Sequence, residues 1–239
     1  GSDYNTVVGN YAVRGGTGVI SHNTVMGYQA MDQVGNHSST KNTFIGYDAG
    51  GGAYAGDIIG NVGIGYQSLN GLMNGANYNV ALGYVALSVV TTGDTNIGIG
   101  VSAGTDITTG SDNTIVGSSA GVLMTTTSNT VLIGKSAGAA INSTDANGTV
   151  AIGYEAGKAI TSGQYNTMVG YLAGNVITTG DKNTLFGYQA GGGANGVDTL
   201  SDNTFMGYQA GLKIDSGARN TAIGSQAMES SAADSDAND

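Results

Sequence analysis

The chain has 239 residues, 40% of them hydrophobic, with 43 glycines and no proline, cysteine or tryptophan. The lack of cysteine removes disulfides and thiolate metal sites, and collagen is excluded because it needs glycine at every third position with abundant proline. Seventeen acidic against seven basic residues give a formal charge of −10, which argues against binding DNA or RNA through phosphates.

Charged residues make up only 10% of the chain, so solubility rests on Asn, Thr, Ser, Gly and Gln. No run approaches the roughly 18 apolar residues of a membrane span, and the start lacks a basic-then-apolar leader. Neither membrane insertion nor a nucleic-acid partner is expected. Gly1 and Ser2 read as a cloning remnant, residues 3–228 as one repeat array, and residues 229–239 as the truncated start of a further repeat.

A phrase of the form Asn-Thr-x-x-Gly-Tyr-x-Ala-Gly recurs thirteen times, its glycine at Gly9, Gly27, Gly46, Gly65, Gly83, Gly100, Gly117, Gly134, Gly153, Gly170, Gly187, Gly207 and Gly224. The spacing runs from 17 residues (Gly83 to Gly100) to 20 (Gly187 to Gly207), which is one coil of a solenoid. The expected fold is all-β: a parallel β-solenoid of about thirteen short coils advancing about 4.8 Å each. Coils of this kind leave an open edge at each end, and since no cap is evident the array is expected to continue in a longer one.

The elements of a coil repeat in chain order. The opening Asn column is Asn5, Asn23, Asn42, Asn61, Asn79, Asn96, Asn113, Asn166, Asn183, Asn203 and Asn220, with Thr130 and Thr149 substituting in rows eight and nine. Eleven copies of one residue predict a hydrogen-bonded structural ladder, since a catalytic asparagine is needed once. The residue before the glycine is always large and apolar: Val8, Met26, Ile45, Ile64, Leu82, Ile99, Val116, Ile133, Ile152, Val169, Phe186, Met206 and Ile223. This column is taken as the core. The column before it (Val7, Val25, Phe44, Ala81, Ile115, Met168, Leu185, Phe205) is also mostly apolar but falls to Gly63 and Gly98, and on a strand it must face the opposite side.

After the glycine comes tyrosine, at Tyr28, Tyr47, Tyr66, Tyr84, Tyr154, Tyr171, Tyr188 and Tyr208, with Val101, Ser118 and Lys135 breaking the column midway. Two residues on, alanine recurs in every row except at Ser68, so another strand or another chain must approach closely there. Extra residues enter only between this corner and the next Asn, at Met31 to Lys41, Gly50 to Gly60, Ala139 to Gly148 and Gly191 to Asp202, which puts every irregular loop on one edge. Elsewhere Thr-Thr-Gly, as at Thr91 to Gly93, supplies the turn.

Rows such as Asn183 to Gly191 and Asn203 to Gly211 resemble the repeats of bacteriophage long tail fibres. They are also similar to the β-roll head repeats of trimeric autotransporter adhesins. The resemblance covers essentially the whole chain and implies a parallel homotrimer, a non-enzymatic virion fibre joined to flanking fibre segments and supporting host-receptor binding. The alternative it carries is a bacterial surface adhesin whose β-roll binds host glycan or matrix. The longer period here departs from the adhesin heads.

Among site candidates, the tyrosine column is the most tempting, as a glycan platform, although an aromatic ladder that merely covers the coils is the preferred account. Asp94, Asp112, Asp181 and Asp202 near the turns suggest calcium, but the Gly-Gly-x-Gly-x-Asp phrase of calcium-binding rolls does not recur. His22 and His37 are the only histidines and offer no ligand set. Gly191 to Gly196 is glycine-rich but lacks the lysine and hydroxyl residue of a phosphate loop. No catalytic residue, metal or cofactor is expected. A third reading, ice binding, rests on the column Thr6, Thr24, Thr43, Thr114, Thr167, Thr184, Thr204 and Thr221, which Val62, Val80 and Ile97 interrupt.

Overall fold

The computed structural model describes residues 3–192, 199–214 and 216–229. The expected remnant at 1–2, most of the glycine-rich segment at 191–196, and nearly all of the further repeat at 229–239 lie outside the described residues. The chain is all-β, a parallel β-solenoid of about 12 turns, and divides into two compact units, residues 1–118 and 119–239.

In the first unit, seven three-residue strands form one parallel sheet: β1 (Thr6–Val8), β3 (Thr24–Met26), β5 (Thr43–Ile45), β7 (Val62–Ile64), β8 (Val80–Leu82), β9 (Ile97–Ile99) and β10 (Thr114–Val116). Two-residue strands β2 (Ile20–Ser21), β4 (Ser39–Thr40) and β6 (Ile58–Ile59) form a second parallel sheet in the longer coils. The second unit stacks β11 (Val131–Ile133), β12 (Val150–Ile152), β13 (Thr167–Val169), β14 (Thr184–Phe186), β15 (Thr204–Met206) and β16 (Thr221–Ile223) in order. One 3-10 turn, Thr144–Ala146, fills the expected insertion there.

Each row of the repeat makes one strand, and the pairing reproduces the sequence alignment: Thr24 opposite Thr43, Val25 opposite Phe44, Met26 opposite Ile45. Strands stop after three residues because left-handed backbone bounds them. Before the Asn, residues such as Lys41 and Tyr78 have φ of 60° and 57°. After the strand, Gly27 has φ of +144°, and a Cβ there would sit 2.1 Å from the Gly46 carbonyl oxygen of the next coil. Both grounds, a forbidden φ and a close backbone, keep that column glycine.

The core column must be corrected. Val8, Met26, Leu82, Ile133, Phe186, Met206 and Ile223 are exposed, from 36% at Ile133 to 67% at Ile223, and Ile45, Ile64, Ile99, Val116, Ile152 and Val169 are half-buried. The buried column is the middle residue of each strand: Val25, Phe44, Ala81, Ile115, Leu132, Ala151, Met168, Leu185 and Phe205 are fully enclosed, and only Val7 in the first coil is exposed. Side chains alternate along a strand, and the coil closes on the side of the middle residue, so its two neighbours both point outward.

Two further inward columns complete the interior. The alanines, Ala30 to Ala210, are fully buried, so the approach that keeps them small comes from within the chain's own coil and not from another chain. Four residues later, Val90, Ile107, Met124, Ile141, Ile160 and Ile177 are also fully buried, a column that the sequence reading missed. The gaps at Gly63 and Gly98 are volume exchange. Leu87 stands where the next row has Gly104 after the alanine, and a Cβ on Gly98 would meet its Cγ at 2.6 Å.

Candidate functional site

The Asn column forms the expected ladder. Asn79 is fully buried; its Nδ2 donates to Asn61 Oδ1 (3.3 Å) and to the Gly93 carbonyl (2.8 Å). Its Oδ1 accepts from the backbone N–H (2.9 Å) and the Nδ2 (3.0 Å) of Asn96. The same pattern runs from Asn5 to Asn113 and from Asn166 to Asn220. In row nine Thr149 holds the position by donating to the Ala146 and Gly163 carbonyls at 2.8 and 3.4 Å. An amide satisfied on both its oxygen and its nitrogen inside the coil has no capacity left for a ligand.

The tyrosines form two stacked runs. Ring centroids lie 5.5, 5.1 and 5.0 Å apart along Tyr28, Tyr47, Tyr66 and Tyr84, and 5.0, 5.4 and 5.2 Å apart along Tyr154, Tyr171, Tyr188 and Tyr208. Interplanar angles stay between 4° and 16°. Tyr11 meets Tyr28 edge-on, and the Lys135 ammonium lies 5.9 Å from the centre of the Tyr154 ring. Sugars stack on ring faces, and here each interior face is covered by the next ring, so only edges and phenol oxygens reach solvent. That geometry favours a covering ladder over a glycan platform.

The turn aspartates serve the backbone. Asp94 Oδ1 accepts from the Asn77 N–H at 2.7 Å, Asp181 Oδ1 from the Gln164 N–H at 2.8 Å, and Asp112 from the Thr95 hydroxyl. With Asp57 accepting from Ser38 N–H at 2.7 Å and Asn77 from Ile59 N–H at 2.8 Å, these form a second polar ladder along the turns. For Asn77, Asp94 and Asp181 the sequence signal was a polar residue two places before the Asn column, whereas Asp57 lies four before Asn61 and Asp112 one before Asn113. Among the described residues no three His, Asp or Glu side chains gather at metal-binding distance, and no helix is long and apolar enough to cross a membrane. His22 stacks on Tyr4 at 4.9 Å on the surface.

An open hollow of about 310 Å³ lies by the second sheet, lined by Ser38, Thr40, Asp57, Ile58, Ile59 and Asn77. Its Asp57 and Asn77 oxygens already accept the backbone bonds just described. A buried phenol occurs at Tyr54, whose hydroxyl donates to the Gly50 carbonyl at 2.7 Å, and burial pushes its pKa well above the ordinary 10.0.

What remains outward on the long-sheet strands is uniform. Each strand presents its first and third residues, and across all thirteen these are only Thr, Val, Ile, Leu, Met or Phe. Comparisons of the chain with family models, with curated proteins and with solved structures return no match.

Proposed function

We propose that this chain is a non-enzymatic structural segment of a phage tail fibre: a homotrimeric β-solenoid shaft, continuous with flanking fibre segments, that supports host-receptor binding at the virion surface. The observation that carries it is that the Asn column is consumed inside the coils and the turn aspartates are engaged along the turns. The asparagines bond to one another, Asp57, Asp94 and Asp181 to backbone and Asp112 to a threonine hydroxyl, which is how a shaft is built. The adhesin reading draws on a different observation, the exposed phenol edges of the tyrosine runs, which offer hydrogen bonds to a surface glycan.

Light scattering after size exclusion tests the shaft reading. A mass near three times the 23.7 kDa chain is expected; a clean monomer at micromolar concentration refutes the trimer. Binding of the isolated protein to a glycan array would move the assignment to the adhesin.

A further inference from the structure

We infer that the outward face of the long-sheet strands is where copies of this chain meet, and that the tyrosine ladder stays outside the contact. The inference rests on the self-associating shaft proposed above and assigns its interface. Three observations carry it.

The first is charge. A chain of net −10 repels its own copies wherever acidic side chains face each other. The first and third strand positions carry no charge in any row, whereas Asp48 and Glu155 follow directly on the tyrosine column and Lys41, Asp112 and Lys182 lie before the Asn column. The strand face is the surface two copies can desolvate without burying an unpaired ion.

The second is chemistry. Met26, Leu82, Phe186 and Met206 each leave between 42% and 53% of their surface in solvent, in a column where every row is large and apolar. Single exposed apolar residues are ordinary, but an unbroken column is an interaction surface. The amount is sufficient when both units contribute: six or seven rows at about 4.8 Å, each strand about 10 Å long, give about 300 Å² per chain from one unit, or about 600 Å² over two copies, so the rows of the two units together exceed the roughly 1,000 Å² of a specific interface.

The third is relief. The apolar column forms a ridge, and the residue that follows it in every row is the fixed glycine, which leaves a strip of bare backbone beside it. Ridge and strip repeat once per coil, so a second copy offers the complementary relief at the same spacing. A partner without this period could match only a row or two.

The test compares variants in solution mass and circular dichroism. Ile64→Lys with Ile152→Lys places one charge on the face in each unit, at half-buried outward positions that leave the coil interior untouched. Val89→Lys with Leu123→Lys adds the same charge at exposed sites off the face. The expected result is an assembled wild type, an assembled control pair, and a face pair of 23.7 kDa with unchanged dichroism. Should the lysine pair fail to fold, Ile64→Thr with Ile152→Thr keeps residues native to outward strand positions and is expected to raise the dissociation midpoint about tenfold or more. Folded face variants that stay assembled like the wild type overturn the assignment of the face while the shaft reading stands. A monomeric wild type removes both.

Discussion

Replacing Asn79 with alanine should cost more than any surface change on this chain, and the reason lies in the four hydrogen bonds of one side chain. The amide is fully buried. Its loss strips the Asn96 N–H of the acceptor at 2.9 Å and the Gly93 carbonyl of the donor at 2.8 Å, both deep in the coil. An orphaned buried polar group costs about 1–3 kcal/mol, so two give about 2–6 kcal/mol. Asn79→Thr should lose roughly half of that, because a hydroxyl at the equivalent position, Thr149, already reaches the corresponding carbonyl of Gly163 at 3.4 Å.

Asn79→Asp should be the worst of the three at neutral pH, since it sets a carboxylate against Asn61 Oδ1 and the Gly93 carbonyl where an NH2 had donated to both. Burial raises the pKa of such a carboxyl above its unfolded value. Its folded state is therefore least penalised below the unfolded pKa and loses stability as pH rises, so the deficit against wild type should shrink between pH 7 and pH 4. Urea unfolding followed by circular dichroism at the two pH values measures all three. The ladder account is refuted if Asn79→Ala lies within about 0.5 kcal/mol of wild type, a loss typical of surface substitutions, or if Thr and Ala cost the same.

Three further outcomes are expected. Gly83→Ala should prevent folding or cost several times more than Gly75→Ala, because a Cβ at Gly83 would sit 2.4 Å from the Gly100 carbonyl oxygen while Gly75, also at positive φ, faces open space; equal thermal shifts would contradict this. The Tyr54 phenol stays neutral in the folded chain at a pH where the unfolded chain ionises. Its contribution is full below the ordinary pKa of 10.0 and fades above it, so wild type should lose stability from pH 9 to 11 more steeply than Tyr54→Phe, by an unfolding titration. Tyr171→Ala removes stacks at 5.0 and 5.4 Å and should destabilise by about 1–3 kcal/mol, whereas a soluble glycan that shielded the Tyr171 ring face in an NMR titration would show that the ladder opens to sugars.

The sequence by itself determined the period, the register and the ladders. The phrase aligned on its glycine is the strand pairing, residue for residue, because identical coils stacked in parallel place like on like. The Asn column was legible for the same reason. Only the tertiary structure decided which of two adjacent apolar columns lies inside. Met26 and Val25 are both hydrophobic, and alternation says that they face opposite ways without saying which way the chain curves. Closure of the coil puts Val25 within and leaves Met26 out. The exchange of Gly98 for Leu87, and the inward turn of Ile107 four residues past the alanine, were likewise invisible in one dimension. Each depends on volumes shared between residues that only the closed coil brings together.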